Sequence, residues 1–250
     1  MSDCRSGFLI FVDHAAGMPR PLTIRAASST HRGCVRPINQ DAVLVRDGIW
    51  AVADGVGGLS KGEVASKVVV DALANPEPAR HGLRLAARSL VLAANCEIIA
   101  RAEPKGMAAT VAVLGIEEGR FFCLWAGDCR VYLLRNGTLN QLTRDHRMVQ
   151  ELVDAGAIDD VAARSHPRRN VVTRAVGIEN ELLLDETDGD VRAGDIFILT
   201  SDGVTSVCND SELGTLCAQD DPDPAVEAIV ELCITRGAPD NLSIVVVNVD

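Results

Sequence analysis

Strand-like apolar runs that follow one another across hairpin-sized gaps constrain this chain more than any other feature. They fall at 22–27, 42–45, 49–53, 110–116, 120–125, 131–134, 182–186, 196–199 and 242–249. Residues 117–119 separate one pair, and Asn136-Gly137, a dipeptide suited to a tight turn, follows another run. Such short gaps imply antiparallel neighbours, because a parallel pair needs a long crossover. Helical spacing appears in Val64, Ala65, Val68, Val69, Ala72 and Leu73, again in Leu83, Ala86, Ala87, Leu90, Ala94 and Ile98, and late in Val226, Ile229, Val230 and Cys233. Two consecutive helices between runs of strands break the alternation of a parallel α/β sheet. The expected class is α+β, a central antiparallel β-sandwich flanked by helices on both faces.

No repeat, low-complexity tract or long linker divides the 250 residues, and a 47% hydrophobic content suffices for one sizeable core. A single domain spanning 1–250 is therefore expected, with its core at about 22–250. The apolar run at 8–12 within the 1–21 extension reads as an extra strand, a partner contact or a disordered tail. It is far too short for a membrane span. The net charge of −11 argues against broad phosphate neutralisation on nucleic acid and favours divalent cations. The eight cysteines contain no C-x-x-C pair, so free thiols in a reducing compartment are expected, with Cys96 and Cys233 on helices and Cys123 on a strand. A cytoplasmic monomer with no nucleic-acid or membrane partner is the resulting expectation.

The chemistry falls at acids that end or begin these strands. In AVADGVGGLS an apolar run stops at Asp54, and three glycines follow. Four such places occur: RPINQD at 36–41, ADGVGG at 53–58, TSDGV at 200–204 and APDNLS at 238–243. A carboxylate at a strand terminus, with the next carbonyl free to turn inwards, suits magnesium or manganese, which take oxygen ligands and several waters. Each element alone reads more readily as an ordinary Asp-Gly turn or Asp-Asn cap.

In order, with GDCRVYLLRNG at 127–137 and LTRDH at 142–146 between them, the four places resemble the metal-dependent serine/threonine protein phosphatases of type 2C, most closely their short bacterial members. The resemblance covers about 22–250. It implies a helix-flanked β-sandwich holding two Mn²⁺ or Mg²⁺ ions at one edge, with a bridging water that attacks phosphoserine or phosphothreonine. Asp54 would bridge both ions and the Gly55 carbonyl would complete one of them, while Asp202 and Asp240 would hold the other. Arg36 would grip the phosphate as a planar donor fork. Gln40, Asp41 and Asn241 would stand behind the ligands and orient them. Asp128 would help Asp202 hold a third, weaker ion. Residues 146–170 take the place of a mobile flap that governs substrate choice, with Ser165 as its contact to the third ion. The implied partners are phosphorylated proteins, including a serine/threonine kinase whose action the chain opposes.

Several residues depart from that pattern. Gln40 stands where many relatives carry glutamate, so the second ion would be held mostly through water. Val56 occupies the place of a histidine that protonates the leaving alcohol in eukaryotic relatives, and valine has no proton to give. His146 and His166 read as structural histidines near turns. Cys129 replaces a serine, and its oxidation would disturb the site if the thiol were exposed. A phosphoprotein-binding or scaffolding module that has lost turnover is the second reading. A calcium-binding structural domain is the third, but the twelve-residue loop it needs is not visible.

Overall fold

The structure is a computed structural model that describes residues 6–11, 21–56, 61–74, 82–102 and 106–250. One sheet orders its six strands as β1 (Ser6–Phe11), β2 (Pro21–His31), β11 (Leu242–Val249), β10 (Ile196–Thr200), β7 (Arg130–Arg135) and β8 (Thr138–Gln141). The other orders five as β3 (Asp41–Arg46), β4 (Ile49–Gly55), β5 (Ala109–Glu117), β6 (Arg120–Ala126) and β9 (Asp185–Asp190). Every pairing is antiparallel. The β5–β6 and β7–β8 turns place Glu118-Gly119 and Asn136-Gly137 at positive φ, the geometry whose twist matches flanking antiparallel strands. The run at 8–12 proves to be mostly strand, with Phe8 opposite Ile24.

Three apolar layers explain why the sheets stack. Trp50, Leu114, Phe197 and Val245 fill the space between them. Helices α1 (Gly62–Ala74) and α2 (Leu83–Arg101) cover the outer face of the five-stranded sheet, with Val69, Leu73 and Ile98 against Ala51 and Val113. Helix α7 (Pro222–Thr235) covers the six-stranded sheet, with Ile229 and Cys233 against Tyr132 and Val246. Each large side chain removed from water contributes about 1.5–3 kcal/mol. No helix of the described residues is long and apolar enough to cross a membrane.

Two features differ from the sequence expectation. The strand expected at 182–186 begins only at Asp185. Leu182 and Leu184 alternate correctly but are buried before the strand starts, while β9 is a polar edge held through Arg120 to Asp188 and Asp190. Four further helices form: α3 (Met148–Asp154), α4 (Asp160–Ser165), α5 (Asp202–Thr205) and α6 (Asp210–Cys217). All are short, and α6 is launched by a reciprocal capping box between Asn209 and Glu212. The seven described cysteines are free, and Cys96 lies on α2 as expected but faces solvent.

Candidate active site

Antiparallel pairing brings the four acidic places to one end of the sandwich. Asp41 opens β3 and Asp54 lies near the end of β4, and the register sets the two directly opposite. Like charges facing across a ladder are destabilising, so this register calls for a proton or a cation between the two carboxyls. The second sheet reaches the same point through Ser201 and Ser243, whose hydroxyls each donate to Asp41 Oδ2 at 2.8 Å. Asp41 thereby joins the ends of three strands. Neither serine had been singled out from sequence, although both lie inside the quoted motifs.

The loop carrying Arg36 is fixed by Asn241. Its amide nitrogen donates to the carbonyls of Arg32 at 2.8 Å and Ile38 at 2.9 Å, and its oxygen accepts from the Gln40 backbone at 2.9 Å. Asn241 is 5% exposed, so its removal would leave three backbone groups without partners. Asn241→Ala is expected to cost about 2–3 kcal/mol and to raise KM through a loosened Arg36 loop; urea denaturation and peptide kinetics check both.

Glycines permit the close approach. A Cβ on Gly203 would lie 1.7 Å from the Asn241 carbonyl oxygen, and one on Gly55 would lie 2.5 Å from the Gly62 carbonyl carbon. Gly33, at φ +75, meets the Asp240 carbonyl oxygen in the same way at 2.1 Å. Gly57 and Gly58, the other two glycines that follow Asp54, lie outside the described residues.

Electrostatics agree with the geometry. Burial, then the charges of Asp41, Asp202, Asp128 and Asp240, hold the Asp54 carboxyl well above the ordinary carboxylate range. Burial raises Asp41 as well, against the opposing hydrogen bonds from Ser243 and Ser201. Asp202 is raised first by burial and then by Asp128. Among the described residues no three Asp, Glu, His or Cys side chains form a ready single-ion cage as they stand. The arginines explain this. Arg36 Nη2 lies 2.6 Å from Asp240 Oδ2, while Arg147 holds Asp128 and Asp202.

The donor set nevertheless fits hard divalent ions bound partly through water. It is built from carboxylates and a carbonyl, its acids repel one another, and the buried Asp41 Oδ1 has no partner. Asp54, Gly55, Asp202 and Asp240 are the groups that would hold such ions. Gln40 has an acidic neighbour that sequence reading missed, since its side-chain amide donates to Glu63 Oε2 at 3.3 Å.

Other expected residues are engaged locally or buried. Ser165 donates at 3.3 Å to the Ala162 carbonyl one turn back in α4, so its hydroxyl is engaged within its own helix. His146 is structural: its Nδ1 accepts from the Gly127 backbone at 3.0 Å, and its ring stacks on Trp125. His166 accepts from the Arg168 backbone at 3.1 Å. Cys129 is 1% exposed, and burial, followed by nearby Asp54, pushes its thiol well above the usual range. Ready oxidation of Cys129 is thus excluded by its placement.

The class the structure defines is a helix-flanked antiparallel β-sandwich with an acidic cluster at one end. The protein phosphatase 2C pattern matches residues 31–241, and the chain belongs to that family. It is 39% identical over 237 residues to the serine/threonine protein phosphatase PstP of Mycobacterium tuberculosis, covering 91% of this chain and 45% of the relative. The chain thus spans less than half the length of that curated relative. Among solved structures, PppA, a key regulatory component of T6SS in Pseudomonas aeruginosa, superposes with a TM-score of 0.81 at 38% identity, over 91% of this chain and 98% of its own. The catalytic domain of PstP in complex with 2 manganese ions gives a TM-score of 0.82 at 34% identity, over 91% of this chain and 99% of its own.

Proposed function

We propose that this chain is a metal-dependent protein serine/threonine phosphatase that hydrolyses phosphoserine and phosphothreonine esters. The convergence of Asp54, Asp202 and Asp240 around Asp41, in a chain of the protein phosphatase 2C family, carries the reading. A pair of manganese or magnesium ions at these carboxylates would supply water activation at neutral pH and offset charge on the transferring group. The protein's own residues do the rest. Arg36, half exposed and paired with Asp240, has the planar fork that would take two phosphate oxygens. Asp41 holds Asp54 in register, and Asn241 holds the Arg36 loop.

The substrate peptide would enter beside a cavity of about 930 Å³ between the 146–170 segment and the chain around α5 and α6. Arg164 and Arg169 line it from the segment, and Ser206 and Asn209 from the opposite wall. This supports a flap role in substrate choice, although the segment is largely helical rather than loose. Val56 offers no proton, so either water supplies one to the leaving alcohol or turnover on poor leaving groups is slow. We further propose that the phosphatase acts as a cytoplasmic monomer against phosphoproteins that include a kinase it opposes; free thiols support the reducing compartment.

Hydrolysis of a phosphothreonine peptide with manganese, with magnesium and with chelator tests the proposal. Turnover that requires a divalent ion is expected, and a folded chain inert with both ions contradicts it. Arg36→Ala is expected to lower kcat/KM about 10²-fold, with Arg36→Lys recovering part of that loss because a lysine keeps the charge but not the fork.

A further inference from the structure

Arg147 joins Asp128, which lies outside the two-ion set, to Asp202, which lies within it. Its Nε lies 2.6 Å from Asp128 Oδ2, and its Nη2 lies 3.3 Å from Asp202 Oδ2. Its side chain is 16% exposed and that of Asp128 is 4% exposed. Asp145 lies farther off, at 3.9 Å from Nε, and its carboxylate already receives both prongs of Arg130 at 2.8 and 2.7 Å. The Arg147 fork is therefore committed to the same two acids that the family resemblance assigns to a third ion.

The backbone gives this arginine little freedom to leave. Arg147 pairs across an isolated bridge with Val172, and Met148 donates to the Val171 carbonyl at 2.9 Å. His146 donates to the Gly127 carbonyl at 2.9 Å, one residue before Asp128. Arg147 is thus pinned both to the strand-end turn that carries Asp128 and to Val171 and Val172, just past the 146–170 segment. Its carbonyl also receives the first bonds of α3, from Gln150 at 3.0 Å and Glu151 at 3.1 Å.

We propose that Arg147 takes the place of the third divalent ion, so that a tethered guanidinium supplies the positive charge between Asp128 and Asp202. A divalent ion there would have to displace donors from the lone pairs it needs, and would face a like charge held a few ångströms away. The same contact latches the 146–170 segment to the site, so the wall of the substrate cavity is fastened by an ion pair and does not await a third ion. The inference rests on the two-ion reading of Asp54, Asp202 and Asp240.

Anomalous scattering from crystals of the unmodified protein soaked in excess manganese separates the two claims. Peaks beside Asp54, Asp202 and Asp240, with the Arg147 guanidinium still bridging Asp128 and Asp202, are expected. A peak between Asp128 and Asp202 with Arg147 swung away overturns this inference while leaving the two-ion reading intact. No peak at any of these acids overturns both. In solution, equilibrium dialysis should count two manganese ions on the unmodified chain and three on Arg147→Ser, falling back to two on Arg147→Ser/Asp128→Asn. A folded Arg147→Ser chain that still binds two contradicts the proposal. Should that variant fail to fold, the scattering result on the unmodified chain decides.

Discussion

Replacing Asp54 with asparagine is expected to lower metal-dependent turnover about 10³-fold while making the metal-free chain more stable. Both effects have one origin. Asp54 faces Asp41 across the β3–β4 ladder, and burial together with the surrounding acids raises its carboxyl well above the ordinary range. A carboxyl raised in the folded chain keeps its proton at pH values where the unfolded chain, with a pKa of about 4, has lost it. The native state then binds more protons, so the stability of the metal-free chain falls as pH rises above about 4. Asparagine removes that fall. The gain should appear at neutral pH as a higher urea midpoint than that of the unmodified chain, and should vanish at acidic pH. Urea denaturation of both proteins in chelator at acidic and neutral pH, beside peptide kinetics with manganese, checks the pair of outcomes. An Asp54→Asn chain that is both active and no more stable would remove the acid cluster from the mechanism.

Gly203→Ala is expected to cost at least about 3 kcal/mol, lowering Tm by roughly 6–12 °C, and to weaken manganese binding as well. The added methyl would sit 1.7 Å from the Asn241 carbonyl oxygen and 2.8 Å from its carbon. Neither atom belongs to a side chain that can rotate away. Relief must come from moving the turn after Asp202 away from the turn after Asp240, which separates two of the carboxylates that would hold the ions. Gly137→Ala is the comparison, because a Cβ there meets nothing within 4 Å and only the φ of +73 is unfavourable. Its cost should stay near 1 kcal/mol. Calorimetry distinguishes the two, and equal costs would mean that the close approach at Gly203 is not what sets its stability.

The acids themselves were visible from sequence for a local reason. An apolar run that stops at an Asp-Gly leaves a carboxylate at a strand end, and Asp54 and Asp202 both satisfy that rule. What joins them is not local. Ser201 and Ser243 donate to Asp41 only because two sheets, built from segments 160 and 202 residues apart, stack at the same end. No spacing within the chain carries that information. Glu63 beside Gln40 and Arg147 beside Asp128 escaped for the same reason, since each pairing depends on where a helix or a loop docks. The antiparallel sandwich was legible because its hairpins are short and its apolar faces long. Helices α3 to α6 were not, because most of them present too few apolar positions for a period to emerge. The β9 boundary failed where buried leucines precede the strand, so burial and pairing stopped coinciding.

Asp54, Asp202 and Asp240 are proposed to form one site for a pair of divalent ions. Equilibrium dialysis of manganese against the unmodified chain and against Asp54→Asn tests it without reference to any substrate. Two ions per chain are expected, and a variant that loses at least one of them while remaining folded. Unchanged stoichiometry and affinity in Asp54→Asn would contradict it, because the ions would then be held by residues other than those that meet at Asp41.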